Sequence, residues 1–577
     1  MSVRRVAQAP SRPRTVTGLV TSVSIADLCA GGVAVVVLAV LVRVWISGMA
    51  YDLHSVPLSP RYNVYAIPSA LSVMLGRPFD YLAYRELMLR FIQPDARVHV
   101  DPVIAEVLAQ PPALSGQPWR STADDHGTTL LTLAAFRLFG ARQASIYVAV
   151  LGLFSASIVL ALLDLWRRPG LMLAVLGLVL GLLALVPIFG VSDQFSTVSE
   201  PRFLGFVSIV STSHVLICLF QRERLSRLSW ATLIGQAMLI GFARLLRGSE
   251  AWQVAAIVSA LPVAVAVGLR SQGWRGAIQP TLAVIGLVVV VMAMTAAANS
   301  GFSSDYAQTA TRSHIVWHNA LMGLAVDPDI AAEYKMGVTS DASVAAAVRE
   351  YLKTTGQNER RDAIFPGSED TWLKNATASN WERFDWIGYE AAARELWWKI
   401  VREDPGRVVR LFTVRMPQML AANAFYLSST DRFLDDHYHV GQRPDARFLL
   451  VGKTMDRQTR VSRDAFLRLF RPDAVLALLA AVGFLTAYRL KVDAASGCGL
   501  ALAVLGWVAL WSLGPPFLAA PVMMYDLLTI QVGVALVYGT IVVGGSSLLS
   551  RLARRWTLTA WKPATVVGEQ TDLGERD

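Results

Sequence analysis

Long apolar runs alternate along this chain with two broad stretches in which polar and charged residues return. The first run is about Ile25 to Met49. Others cover about 145–166, 170–190, 203–220, 229–246, 251–269 and 278–298, and three more lie at about 473–490, 495–514 and 523–545. Several of them approach or exceed the roughly 18–20 residues that carry a helix across a bilayer. The pattern predicts an all-α polytopic membrane protein with roughly ten transmembrane helices.

The polar stretches are themselves patterned. In the first, about 50–144, Tyr65 to Leu75 and Tyr81 to Phe91 have the spacing of amphipathic helices and are expected at the membrane surface. Pro111-Pro112 ends the helix that follows. A further helix is expected to start near Thr128, and its apolar run, Leu130 to Gly140, leads back to the next span at Ser145. The second stretch, 299–472, is Trp-rich and mainly helical by pattern. Within it, Val408 to Leu427 is amphipathic and carries Arg410 and Arg415. The expected organisation is a disordered basic tail (1–24), a transmembrane core (25–298) with the loop at 50–144, a helical region (299–472), C-terminal spans (473–545) and a second tail (546–577).

Charge supplies the orientation. Only 17% of the 577 residues are charged, 54% are hydrophobic, and the net charge is +10. The excess is basic where cytoplasmic loops are expected: Arg4, Arg5, Arg12 and Arg14, then Arg167-Arg168, Arg222 to Arg227, Arg270 to Arg275, Arg489 to Lys491, and the tail with Arg551, Arg554 and Arg555. Every second loop is basic, which places both termini in the cytoplasm and both large regions on the non-cytoplasmic face. Two loops far apart in sequence can then build one site above the membrane. The basic surplus needs no nucleic-acid partner. Cys29, Cys218 and Cys498 all fall inside apolar runs and read as small buried residues, with no disulfide framework or zinc cluster implied. No glycine-rich phosphate loop, GxSxG or CxxC is present, which argues against soluble nucleotide chemistry.

Candidate chemistry gathers on the non-cytoplasmic side, where seven of the eight histidines fall, all but His214. Asp124-Asp125-His126-Gly127 joins two carboxylates and an imidazole just before a returning helix. Such a group suits acid/base work at a membrane surface, and equally suits a helix cap. Asp52 follows the first span as a base in a lipid-accessible cleft or as a solvated interfacial residue. Glu200 and Arg202, and then Arg247 and Glu250, sit in two short outside loops. Arginines there run against the positive-inside bias and call for a carboxylate or an anionic headgroup, with phosphate slightly favoured. His314 and His318 share a helical face beside Trp317. That spacing permits a divalent metal, but no HExxH accompanies it, and a surface histidine pair is an equal reading. Asp435-Asp436-His437-Tyr438-His439 poses the same choice.

Together these stretches resemble membrane-embedded glycosyltransferases of the GT-C fold. Asp124-Asp125-His126-Gly127 with Leu138-Phe139-Gly140 resembles the "DDKG … FG" stretch of uncharacterised bacterial members, and His314-x-x-Trp317-His318-Asn319 with Gly323-Leu324 resembles their "HPxWH … GLG" stretch. Asp341, Tyr389-Glu390 and Asp404-Pro405 continue the pattern in order, and the likeness covers most of 25–430. Three positions depart from it: His126 replaces a lysine, Ile315 a proline and Ala325 a glycine.

The resemblance implies an inverting transfer, at the outer face of a bacterial inner membrane, of a sugar from a polyprenyl-phosphate donor to an envelope glycan or lipid acceptor. It implies Asp52, Asp124 and Asp125 as catalytic carboxylates. Substrate contacts would fall to His126, Glu200, Arg202, Arg247, Glu250, His314, Trp317 and His318. No cofactor is fixed by it. The rival expectations are a transporter or flippase of a lipid-linked or anionic substrate, which would place its polar residues at mid-membrane, and a non-catalytic envelope assembly protein.

Overall fold

The structure is a computed structural model. It describes residues 66–77, 100–109, 127–166, 206–221, 224–301, 316–325, 327–337, 341–365 and 385–411, a scatter of positions between 168 and 179, and Gly32, Leu500 and Ala503. These residues are almost entirely helical and contain no strand. Four helices are long and apolar enough to cross a membrane: α4 (Gln143–Leu165), α6 (Arg227–Leu246), α7 (Ala251–Gln272) and α8 (Trp274–Asn299). At 1.5 Å per residue, their 20 to 26 residues extend about 30 to 39 Å, the thickness of a hydrocarbon core or more. The shorter α5 (Phe206–Leu219) packs among them. Span boundaries expected from the sequence agree with these helices to within a few residues; the remaining expected spans lie wholly or largely outside the described residues.

Burial is one-sided, as a lipid-facing helix requires. On α8, Ile278, Leu282, Ile285, Val289 and Met292 form an exposed apolar stripe at helical spacing, while Val284, Leu287 and Val291 face the bundle. α7 and α8 make the closest hairpin. Near its turn Gly268 and Gly276 meet backbone to backbone, and a Cβ on either would collide with the other's main chain.

A second core sits over α4. α1 (Ile67–Met74), α2 (Val100–Ala109) and α3 (Gly127–Phe139) close around Ile67, Leu71, Ile104, Phe136, Ile146 and Tyr147. The amphipathic segment expected at the membrane surface is therefore not a surface helix. Residues Ile67 to Ser72 are all buried, packed on α3, because α3 presents an apolar face that water would otherwise wet. Asp101 of α2 then accepts the first free amide of α4, Gln143 N–H, at 2.7 Å, where Arg142 offers no side-chain cap.

A third core is formed by α9 (Val316–Leu324), α10 (Pro328–Tyr334), α11 (Asp341–Thr354), α12 (Asn358–Ile364), α13 (Trp386–Glu403) and α14 (Pro405–Arg410). It realises the helical region expected after 299. Arg360 grips both oxygens of Glu395 at 2.9 and 3.0 Å, tying α12 to α13. The amphipathic run Val408 to Leu427 extends past Leu411 into residues outside those described.

The α7–α8 approach generates a prediction. Gly268→Ala or Gly276→Ala overpacks the hairpin and lowers stability by about 1–3 kcal/mol. Gly286→Ala, which meets nothing within 4 Å, stays neutral or gains up to about 1 kcal/mol of helix propensity. Thermal unfolding of the purified protein in detergent measures both, and equal behaviour of the three variants would contradict the close approach.

Candidate functional site

The sequence-expected residues divide into those the structure describes and those it does not. Asp52, Asp124, Asp125, His126, Glu200, Arg202 and His314 lie outside the described residues. So do His437 and His439, together with Cys29 and Cys498. Arg247, Glu250, Trp317 and His318 are described.

Arg247 and Glu250 occupy the link between α6 and α7. α6 ends in an extended residue, Arg247, and a single 3-10 turn, Gly248–Glu250, leads into α7. Glu250 is fully buried. Its Oε2 accepts from Ser208 Oγ at 3.0 Å and from Gln253 Nε2 at 3.2 Å. Gln253 also donates to Ser208 Oγ at 2.9 Å and accepts from Thr212 Oγ1 at 2.6 Å. This carboxylate, at the start of α7 where the helix dipole favours a negative charge, is held by hydroxyl and amide donors. It therefore fits a positioning role, fixing the link that carries Arg247, better than the substrate contact expected for it. Ser208, Thr212 and Gln253 are not among the residues expected from the sequence; polar side chains at helical spacing inside an apolar run are the signal that marks them.

Gly127 reaches the same place from the other side. It opens α3 and lies against the backbone of Leu245 and Leu246, so closely that any Cβ would collide with the main chain there. The helix start expected near Thr128 thus stands, and its first residue is pinned one position before Arg247. The Asp124-Asp125-His126 stretch ends at that contact, though its own residues are outside those described.

Trp317 and His318 begin α9. Glu390, from α13, reaches across and accepts both amides, Trp317 N–H at 2.8 Å and His318 N–H at 3.0 Å. A carboxylate at a helix N-terminus satisfies donors that no intrahelical carbonyl can. His318 is buried rather than on the surface. Its Nδ1 pairs with the Tyr389 hydroxyl at 2.6 Å, and Trp317 meets Trp397 edge-on. Tyr389-Glu390 and Trp317-His318, more than 70 residues apart, are one structural unit. As arranged it organises α9 against α13, with His318 buried at their contact.

Burial pushes the Glu390 carboxyl above the usual range, and the amides of Trp317 and His318 pull partly back. A raised native pKa means that the folded state holds the proton more tightly than the unfolded chain. The associated stability is present below the unfolded pKa and is lost as pH rises through the raised native value.

Three other polar side chains meet at the opposite end of the bundle. Asp164 of α4 approaches His214 and Cys218 of α5, and their donor atoms lie within 4.8 Å of one another. Among the described residues this is the cluster able to hold a metal ion. By sequence pattern His214 stands apart from the other histidines and Cys218 reads as a small buried residue. A cavity of about 240 Å³ also opens at that end, between α5, α7 and α8, bordered by Gln221, Arg224, Arg275 and Gln279. None of the expected site residues borders it.

No protein-family model, curated protein or solved structure matches this chain.

The Glu390 contact can be tested directly. Glu390→Ala leaves two buried amides unsatisfied and costs about 1–3 kcal/mol, read as faster hydrogen exchange at Trp317 and His318. The wild type's stability advantage over Glu390→Gln shrinks as pH rises through the native Glu390 pKa. A pH-independent difference would remove the burial argument.

Proposed function

We propose that this chain is a membrane glycosyltransferase, transferring a sugar from a polyprenyl-phosphate donor to a glycan or lipid acceptor at the non-cytoplasmic face. One observation carries the reading furthest: Gly127 packs against Leu245 and Leu246, beside Arg247. Asp125 is two residues before Gly127, a separation the chain caps at about 7 Å. A carboxylate pair and a guanidinium from loops more than a hundred residues apart are thereby tethered to one contact. Convergence of acid and arginine is what this chemistry requires and what a passive scaffold does not.

In the proposed reaction a carboxylate, Asp124 or Asp125, takes the proton of an acceptor hydroxyl. The acceptor oxygen bonds to the anomeric carbon as the bond to the lipid phosphate breaks. Arg247, held by the Glu250 network, offsets charge on the departing phosphate. Asp52 and Arg202 are further candidates for the same two roles. His126 and Glu200 remain candidate substrate contacts by resemblance, as does His314.

A second reading has one specific observation behind it. α5 carries Ser208, Ser211, Thr212, His214 and Cys218 buried along its length, between Glu250 near one end and Asp164 near the other. Buried ionisable groups within spans mark substrate and ion pathways, so a transporter of a lipid-linked or anionic substrate is the alternative.

Purified protein in lipid, offered a panel of polyprenyl-phosphate sugars, separates the two. Transfer by the wild type is expected, with loss in Asp124→Asn/Asp125→Asn despite retained donor binding. Arg247→Ala should lower the rate by about 10²–10³, and Arg247→Lys should recover part of it. Undiminished transfer after alanine substitution at Asp52, Asp124 and Asp125 would end the acid/base account. Saturable donor binding without turnover would favour the transporter.

A further inference from the structure

From the placement of Asp164, His214 and Cys218 we infer a divalent metal site of zinc class, built between α4 and α5 and independent of the transferase reading. His214 and Cys218 are four residues apart on α5 and so share one face, and Asp164, near the end of α4, meets that face. His214 Nε2 lies 3.0 Å from Asp164 Oδ2, and Cys218 Sγ lies 3.5 Å from the same oxygen. Tetrahedral zinc, with bonds of about 2.0–2.2 Å to oxygen and nitrogen and about 2.3 Å to sulfur, sets ligands roughly 3.3 and 3.6 Å apart along those two edges. Along those two edges the site needs an opening of only a few tenths of an ångström, and the imidazole–thiol edge, within 4.8 Å, closes toward about 3.5 Å on binding.

The surroundings match what such a site needs beyond its ligands. Both α5 ligands are buried, and the Asp164 side chain is only 4% exposed. An aspartate, a thiolate and a neutral imidazole carry two negative charges, which a divalent cation cancels. A neutral assembly is the form that a low-dielectric helix bundle tolerates. Thiolate with imidazole favours zinc, cobalt or another borderline metal over magnesium or calcium.

The two α5 ligands are also supported from behind. Gln221 donates to Cys218 Sγ at 3.8 Å. Gln236 donates to His214 Nδ1 at 3.2 Å and to Ser157 O at 2.9 Å. An imidazole that donates to Asp164 carries its proton on Nε2. On metal binding that proton moves to Nδ1 and the Cys218 thiol releases its own. Gln236 Oε1 is buried with no hydrogen-bond partner; a half-turn of the amide, giving up the bond to Ser157 O, presents it to Nδ1–H. Ligating imidazoles commonly donate their second nitrogen in this way. Gln221 also borders the cavity at this end of the bundle, so Cys218 stands one side chain from the aqueous face that the basic loops assign to the cytoplasm.

Three protein ligands leave a fourth position for water or an exchangeable group. The test uses the full chain, purified in detergent without a polyhistidine tag, stripped by chelator and titrated with cobalt(II) and then zinc. One equivalent of cobalt should bind and produce thiolate-to-cobalt charge-transfer absorption, which zinc should bleach. Cys218→Ser should lose the absorption and His214→Ala should weaken binding at least tenfold. Cys29→Ser/Cys498→Ser should keep both signals, and this variant decides the matter if Cys218→Ser fails to fold. No charge-transfer absorption in the wild type, or its persistence in Cys218→Ser, would overturn the proposal and leave the three groups as a hydrogen-bonded knot.

Discussion

Within a bundle of apolar helices a polar side chain has no water to fall back on, and the structure is organised by where each one finds its partner. α5 meets this constraint at both ends. Ser208 and Thr212 join Glu250 and Gln253 where α6 turns into α7. Six residues on, His214 joins Asp164 and Gln236. The first ties α5 to the start of α7 and the second joins α4, α5 and α6, and slipping any of these helices by a residue would strand a buried donor or acceptor at a cost of about 1–3 kcal/mol. Dispersion and lipid exclusion bring the helices together; the polar contacts decide which faces meet.

The same demand explains two long-range caps. A helix begins with amide donors that its own turns cannot satisfy. α4 is served by Asp101, 42 residues before its first amide, and α9 by Glu390, more than 70 residues after its start. In both, a carboxylate from another helix supplies what the local sequence lacks. The caps also tie layers together: Asp101 joins α2 to the start of α4, and Glu390 sits next to Tyr389, whose hydroxyl pairs with His318.

The two proposals fall at opposite ends of the bundle. At one end, Gly127 packs on the backbone just before Arg247, and Glu250 is pinned at the start of α7. At the other, three donors of mixed softness converge in a dry setting, suited to a cation. α5 runs between them and contributes to both.

Hydropathy period and length alone determined the all-α class, the positions of α4, α6, α7 and α8, the helix that opens at Gly127, and a helical region after residue 299. Those properties are local: apolar runs of spanning length must be helical in lipid, whatever their neighbours. The burial of Ile67 to Ser72 was not legible, because an amphipathic helix looks the same whether a membrane or α3 covers its apolar face. Nor was the inward turn of Glu250 and His318, since a polar residue's partner can lie anywhere along the chain. Asp164, His214 and Cys218 are separated by 50 and 4 residues, a spacing with no motif, and only the packing of α4 on α5 makes them one group. Sequence patterns encode which face of a helix is apolar; which polar atoms meet is decided when the faces pack, because burial is where an unpaired polar group becomes costly.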